Sequence, residues 1–150
     1  MIATPLGSVR HQDRSQEAEH NVIRYIVAWL PMLVLAVTNG ALREATFGKH
    51  MTELHAHQLS TAIGSVLIGV FIWFVVRTWP PSSAGQALAI GTTWLLLTVA
   101  FEFAMGRLLM HRPWSQLFRD YNLLEGRVWV LFLAWLTMAP CVFYRLLQAA

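Results

Sequence analysis

The chain has 150 residues, of which 56% are hydrophobic and 13% charged. A soluble domain carries about 25% charged residues, so this chain has too few charges to cover a water-facing surface. Its formal charge of +3 does not mark a nucleic-acid binder, because the basic residues bracket apolar runs and form no patch interleaved with aromatics.

Residues 1–20 are polar and hold no apolar stretch of the kind a cleavable signal needs, so the first apolar run is expected to direct insertion. They read as a mobile N-terminal tail that turns helical from about Ser15. Residues 21–150 are predicted to form one domain with four membrane spans at about 22–41, 59–76, 86–106 and 128–147. In the first span, 18 uncharged residues separate Arg24 from Arg43. At about 1.5 Å per residue such a helix covers nearly the full hydrocarbon thickness of a bilayer. Pro31 falls inside it and predicts a kink, which neighbouring helices in a bundle tolerate. Tyr25 and Trp29 sit near its start, where amphipathic rings prefer the interface.

A polar connection over residues 44–58 holds His50, His55 and His57. In the second span, Ser60 with Gly64 and Ser65 with Gly69 are small residues four apart. That spacing lets two helix backbones approach closely in lipid, and it offers an oligomer contact. Trp79-Pro80-Pro81-Ser82-Ser83 makes a tight turn, because paired prolines do not continue a helix, and Ser82 or Ser83 is placed to cap the third span. After that span, Trp114, Leu117, Phe118, Tyr121 and Leu124 predict a short helix lying on the membrane surface, with Gly126 ending it. The fourth span is bracketed by Arg127 and Arg145, with Pro140 inside, and holds the single cysteine, Cys141. One cysteine excludes a disulfide framework and a cysteine-based metal motif. The expected fold is therefore all-α: an integral membrane four-helix bundle with a short amphipathic interfacial helix between the third and fourth spans.

Four spans put both termini on one side. That side holds Arg10, Arg14, Arg24, Arg77 and Arg145; the other holds Arg43, Lys49, Arg107, Arg112, Arg119 and Arg127. The count is close to even. Arg43 and Arg107 lie beside Glu44 and Glu102 and are discounted as ion-pair partners, which places the termini in the cytoplasm, in what reads as a bacterial inner membrane.

Polar chemistry concentrates on the side away from the termini. Glu102 lies before its apolar run has finished, and an ionisable group within a membrane helix usually faces a bundle interior or a wet cavity. Arg107 is five residues on, about 140° around a helix, so Arg43 is the better partner for Glu102. Asn39, Arg43, Glu44, Glu102, Arg107 and Asp120 are the candidate substrate-binding or ion-pair residues. His55, His57 and His111 are candidate ligands for a divalent metal, since imidazoles with a carboxylate suit such ions. Their spacing matches no HExxH or Glu-x-x-His pattern, and solvated loop histidines are the plainer alternative.

No nucleophile elbow, phosphate loop or dinucleotide fingerprint occurs. Three functions stay open. One is binding or passing a small polar or charged solute, as a homo-oligomer. Another is a membrane-embedded metal enzyme or redox protein. The last is an accessory subunit of a larger membrane complex.

Overall fold

The computed structural model describes residues 6–119, 121–122 and 126–149. Its long helices are α1 (Leu6–Ala45), α2 (Glu53–Thr78), α3 (Ala84–Ala104) and, at the end of the chain, α5 (Trp129–Ala149). A short α4 (Trp114–Arg119) precedes α5, and no strand occurs among the described residues. Four segments are long and apolar enough to cross a membrane: Ile23–Ala45, Glu53–Thr78, Ala84–Leu109 and Trp129–Ala149. All four predicted spans are present. Each apolar stretch satisfies its own backbone hydrogen bonds as a helix, the form that lipid demands of an open chain.

The N-terminal stretch differs from expectation. Helix α1 begins at Leu6, not near Ser15, and runs unbroken into the first span. Gln16, Glu17 and Ala18 favour helix, and continuing a formed helix is easier than nucleating one.

The helices form a ring in the order α1, α2, α5, α3. Trp94 of α3 is fully buried in the middle of it, with Ile72, Val75 and Val76 of α2 and Leu136 of α5. Trp94 Nε1 donates to the Tyr25 carbonyl oxygen at 2.8 Å, so the indole's one polar atom is satisfied within the core. Between α3 and α5 the backbones meet at Gly91. A Cβ there would overlap the Thr137 carbonyl oxygen, so only glycine fits. Outward faces of all four helices are apolar: Val34, Val66, Leu96 and Leu131 are each exposed. That surface suits lipid and would aggregate in water.

The small residues of α2 make close contacts within the chain. Ser60 and Gly64 face Asn39 of α1, whose amide donates to Ser60 O at 2.8 Å and to Ser60 Oγ at 3.0 Å. Gly69 lies under the Trp135 ring of α5, and Trp135 Nε1 donates to Ser65 O at 3.1 Å. The close approach that small residues permit is consumed by α1 on one side and α5 on the other.

Local signals hold at the ends. Ser83 Oγ accepts from Gln86 N at 3.1 Å and caps α3, while Gln86 Oε1 reaches back to accept from Ser82 N at 2.6 Å. Thr52 caps α2 through His55 N at 3.3 Å. The third span ends in a π turn over Met105–Leu109, and His111 then takes φ 51 as the chain leaves it. Gly126 takes φ 77, a left-handed conformation that glycine adopts without steric cost, and its carbonyl accepts from Gln58 Nε2 at 3.0 Å.

Candidate functional site

Both polar connections come together at one end of the bundle, around a cavity of about 720 Å³. Sites for small ligands typically measure roughly 300–1,000 Å³. The walls are apolar on the membrane side, from Leu33, Ala36 and Val37 of α1 and Phe101 and Met105 of the third span. The far end is charged. Arg43, Lys49, Arg112 and Arg127 line it, together with Glu44, Glu53 and Glu102.

Glu102 is positioned by α3 one turn before the π turn. Its Oε2 accepts two hydrogen bonds, from Tyr121 Oη at 2.6 Å and from Trp129 Nε1 at 2.8 Å. Both donors are neutral and come from beyond the third span: Tyr121 follows α4 and Trp129 opens α5. Phe103 stacks on Tyr121 with centroids 5.9 Å apart, and Trp129 stacks on Phe132 at 4.9 Å. Those ring contacts fix the two donors, so the carboxyl is held on a rigid aromatic cradle.

Arg43 ends α1 and does not pair with Glu102, against the sequence expectation. Its Nη1 donates to His57 Nδ1 at 3.3 Å and its Nη2 to Glu44 Oε1 at 3.2 Å. Because a guanidinium only donates, His57 Nδ1 is the acceptor and the ring is the neutral tautomer with its proton on Nε2. Arg127 is buried, at 9% exposure, and its Nη2 lies 3.4 Å from Glu53 Oε1 of α2.

Of the candidates named from the sequence, Arg43, Glu44 and Glu102 line the cavity. Asn39 does not; it ties α1 to α2 through Ser60. Arg107 is exposed, with its guanidinium 5.9 Å from the Trp114 ring centroid and Nη1 donating to Arg112 O at 3.4 Å. Asp120 lies outside the described residues. His57 lines the cavity, whereas His55 is exposed with Nδ1 2.9 Å from Thr52 Oγ1, and His111 is also exposed. Among the described residues, no three His, Cys, Asp or Glu side chains gather as a metal would require. The alternation of His55 and His57 across α2 explains why: residues two apart on a helix point to opposite sides.

Sequence reasoning passed over Lys49, Arg112 and Trp129. Lys49 and Arg112 looked like loop charges of the kind that flank any span. Trp129 is one of seven tryptophans, and no local pattern sets it apart. The available signal for Trp129 was its depth: it stands at the start of the fourth span as Glu102 stands near the end of the third, on the same side. The fold and cavity together define a class, a polytopic helical bundle with a charged pocket at one end. No known family model, curated protein or solved structure is similar to this chain.

Proposed function

We propose that this chain is an integral membrane protein whose polar end binds or passes a small polar or charged solute. One observation carries the reading: a ligand-sized cavity draws ionisable groups from α1, α2, the third span and the segment leading to α5 into one place. Ionisable groups at the edge of an apolar bundle are costly, and they persist where they serve a substrate or ion path. Glu102 and Arg43 both line the cavity, each held by other partners: Glu102 by Tyr121 and Trp129, Arg43 by Glu44 and His57.

The termini are assigned to the cytoplasmic side of a bacterial inner membrane, so the cavity opens to the opposite face. Helix α4 is assigned to the membrane surface. Supporting this, Trp114 and Phe118 are 52% and 59% exposed and continue an apolar strip from Leu108, Leu109 and Met110.

Cysteine accessibility tests the reading. With Cys141→Ser as background, Thr98→Cys places a thiol in the cavity wall. The expected result is reaction with an anionic, membrane-impermeant methanethiosulfonate in the folded protein, from the side opposite the termini. A thiol that reacts only after denaturation overturns the reading.

A further inference from the structure

The seam between α1 and α3 is built differently from the others. The two helices are held together at one end, where Trp29 Nε1 donates to Thr98 Oγ1 at 3.1 Å and the Trp29 ring meets Phe101 edge-on at 6.1 Å. Farther along, α1 is anchored to α2 instead, through Asn39 and Ser60. Pro31 stands just beyond Trp29 at the start of that change of partner, where a missing N–H frees a helix to bend. Between the two anchor points Leu33, Ala36 and Val37 face the cavity rather than α3. Val37 lines the cavity and is still 54% exposed. The cavity therefore opens sideways, between α1 and α3, along a face of the bundle that lipid covers.

Among the described residues, four basic side chains line the charged end against three acidic ones, a formal +1 with His57 neutral. Glu44 is engaged by Arg43 and Glu53 by Arg127, and both carboxylates are largely exposed. Glu102 is engaged by Tyr121 and Trp129. Lys49 and Arg112 have no carboxylate partner among the described residues. A site with an apolar side opening, and with Lys49 and Arg112 at a charged end that meets water, is complementary to a molecule with a chain and an anionic head.

We propose that the ligand of this cavity is a membrane phospholipid with a net anionic headgroup, the headgroup beside Lys49 and Arg112 and its acyl chains leaving between α1 and α3. This rests on the cavity being a binding site, as proposed above, and names the ligand class. The lipid reaches the site from within the bilayer, so no soluble route through the bundle is required. Burying an acyl chain along Leu33, Ala36, Val37 and Phe101 adds apolar contact that a free anion cannot make.

The test uses the full chain in neutral detergent, with binding followed by native mass spectrometry. The probes are phosphatidylglycerol, phosphatidylcholine, diacylglycerol and inorganic phosphate. The expected result is one phosphatidylglycerol retained per chain, in preference to phosphatidylcholine and diacylglycerol, with inorganic phosphate not retained. K49Q combined with R112Q is expected to weaken retention about thirtyfold, the effect of two basic groups facing an anionic headgroup. V37W, which blocks the side opening from an exposed position, is expected to abolish retention without loss of folded protein. Equal retention of all lipids, or retention unmoved by both variants, overturns the proposal. Retention of inorganic phosphate in competition with lipid overturns it while leaving a small-solute site standing. If T98C reacts in delipidated protein and no lipid is retained, the ligand class is wrong; if T98C is inert even in delipidated protein, the site reading itself has failed.

Discussion

Two seams of the same bundle show opposite solutions. Between α3 and α5, Gly91 removes every side-chain atom and lets the Thr137 carbonyl sit against the helix. Between α1 and α3, the printed ties lie in the first part of the span, Tyr25 with Trp94 and Trp29 with Thr98 and Phe101, and farther along the seam a cavity lies between the helices. In lipid the apolar phase gives little drive for one helix to bind another, so close packing and interhelical hydrogen bonds carry stability. The tight seam supplies that. The open seam is tolerated because α1 is held by polar ties at separate points, to Trp94 and Thr98 on one neighbour and to Ser60 on the other.

The comparison can be broken directly by placing the same bulky residue in each seam. Gly91→Trp drives a ring into backbone and is expected to cost about 4 kcal/mol or more, seen as loss of the monodisperse peak in fluorescence-detected size exclusion. Val37→Trp in the open seam is expected to change stability by no more than about 0.5 kcal/mol, read as an unchanged unfolding midpoint in detergent. Comparable destabilisation by the two would show that both seams are closed.

Smaller changes sharpen the picture at the site. Tyr121→Phe and Trp129→Phe each remove one donor to the Glu102 carboxyl and are expected to cost about 1–2 kcal/mol apiece. In a double-mutant cycle the pair should be non-additive, since both donors share Oε2. Simple additivity would mean that Glu102 does not sit on a common cradle. Asn39→Ala, which unties α1 from α2 next to the cavity, should cost about 0.6–1 kcal/mol, with a matching increase in T98C reactivity. The smallest effect is expected at Arg107→Gln, within about 0.5 kcal/mol, because the side chain is exposed and rests on Trp114. A large loss there would reinstate Arg107 as part of the site.

Much of the architecture could be read before the fold was known. Hydropathy located all four spans, since a run of uncharged residues near twenty long has few stable places outside lipid. The alternation of up and down helices then put the two polar connections at one end, and Arg43, Glu44, His57 and Glu102 do share a cavity there. The helix caps at Ser83 and Thr52 are likewise local, each set within three residues of its partner.

What the sequence could not decide is who meets whom across the bundle. Ser60, Gly64 and Gly69 mark close helix contacts by their size, but size does not say whether the contact lies within a chain or between copies; the structure uses them for Asn39 and Trp135. Charge suggested Arg43 as the partner of Glu102, yet Arg43 turns to Glu44 and His57, and Glu102 accepts from aromatic groups 19 and 27 residues farther along. Such pairings depend on the rotation of each helix about its axis, which is set by how whole faces interlock. Periodicity within one segment fixes that a helix exists and how long it is. The azimuth of its side chains, and with it the open seam beside Val37, was settled only when all four helices packed.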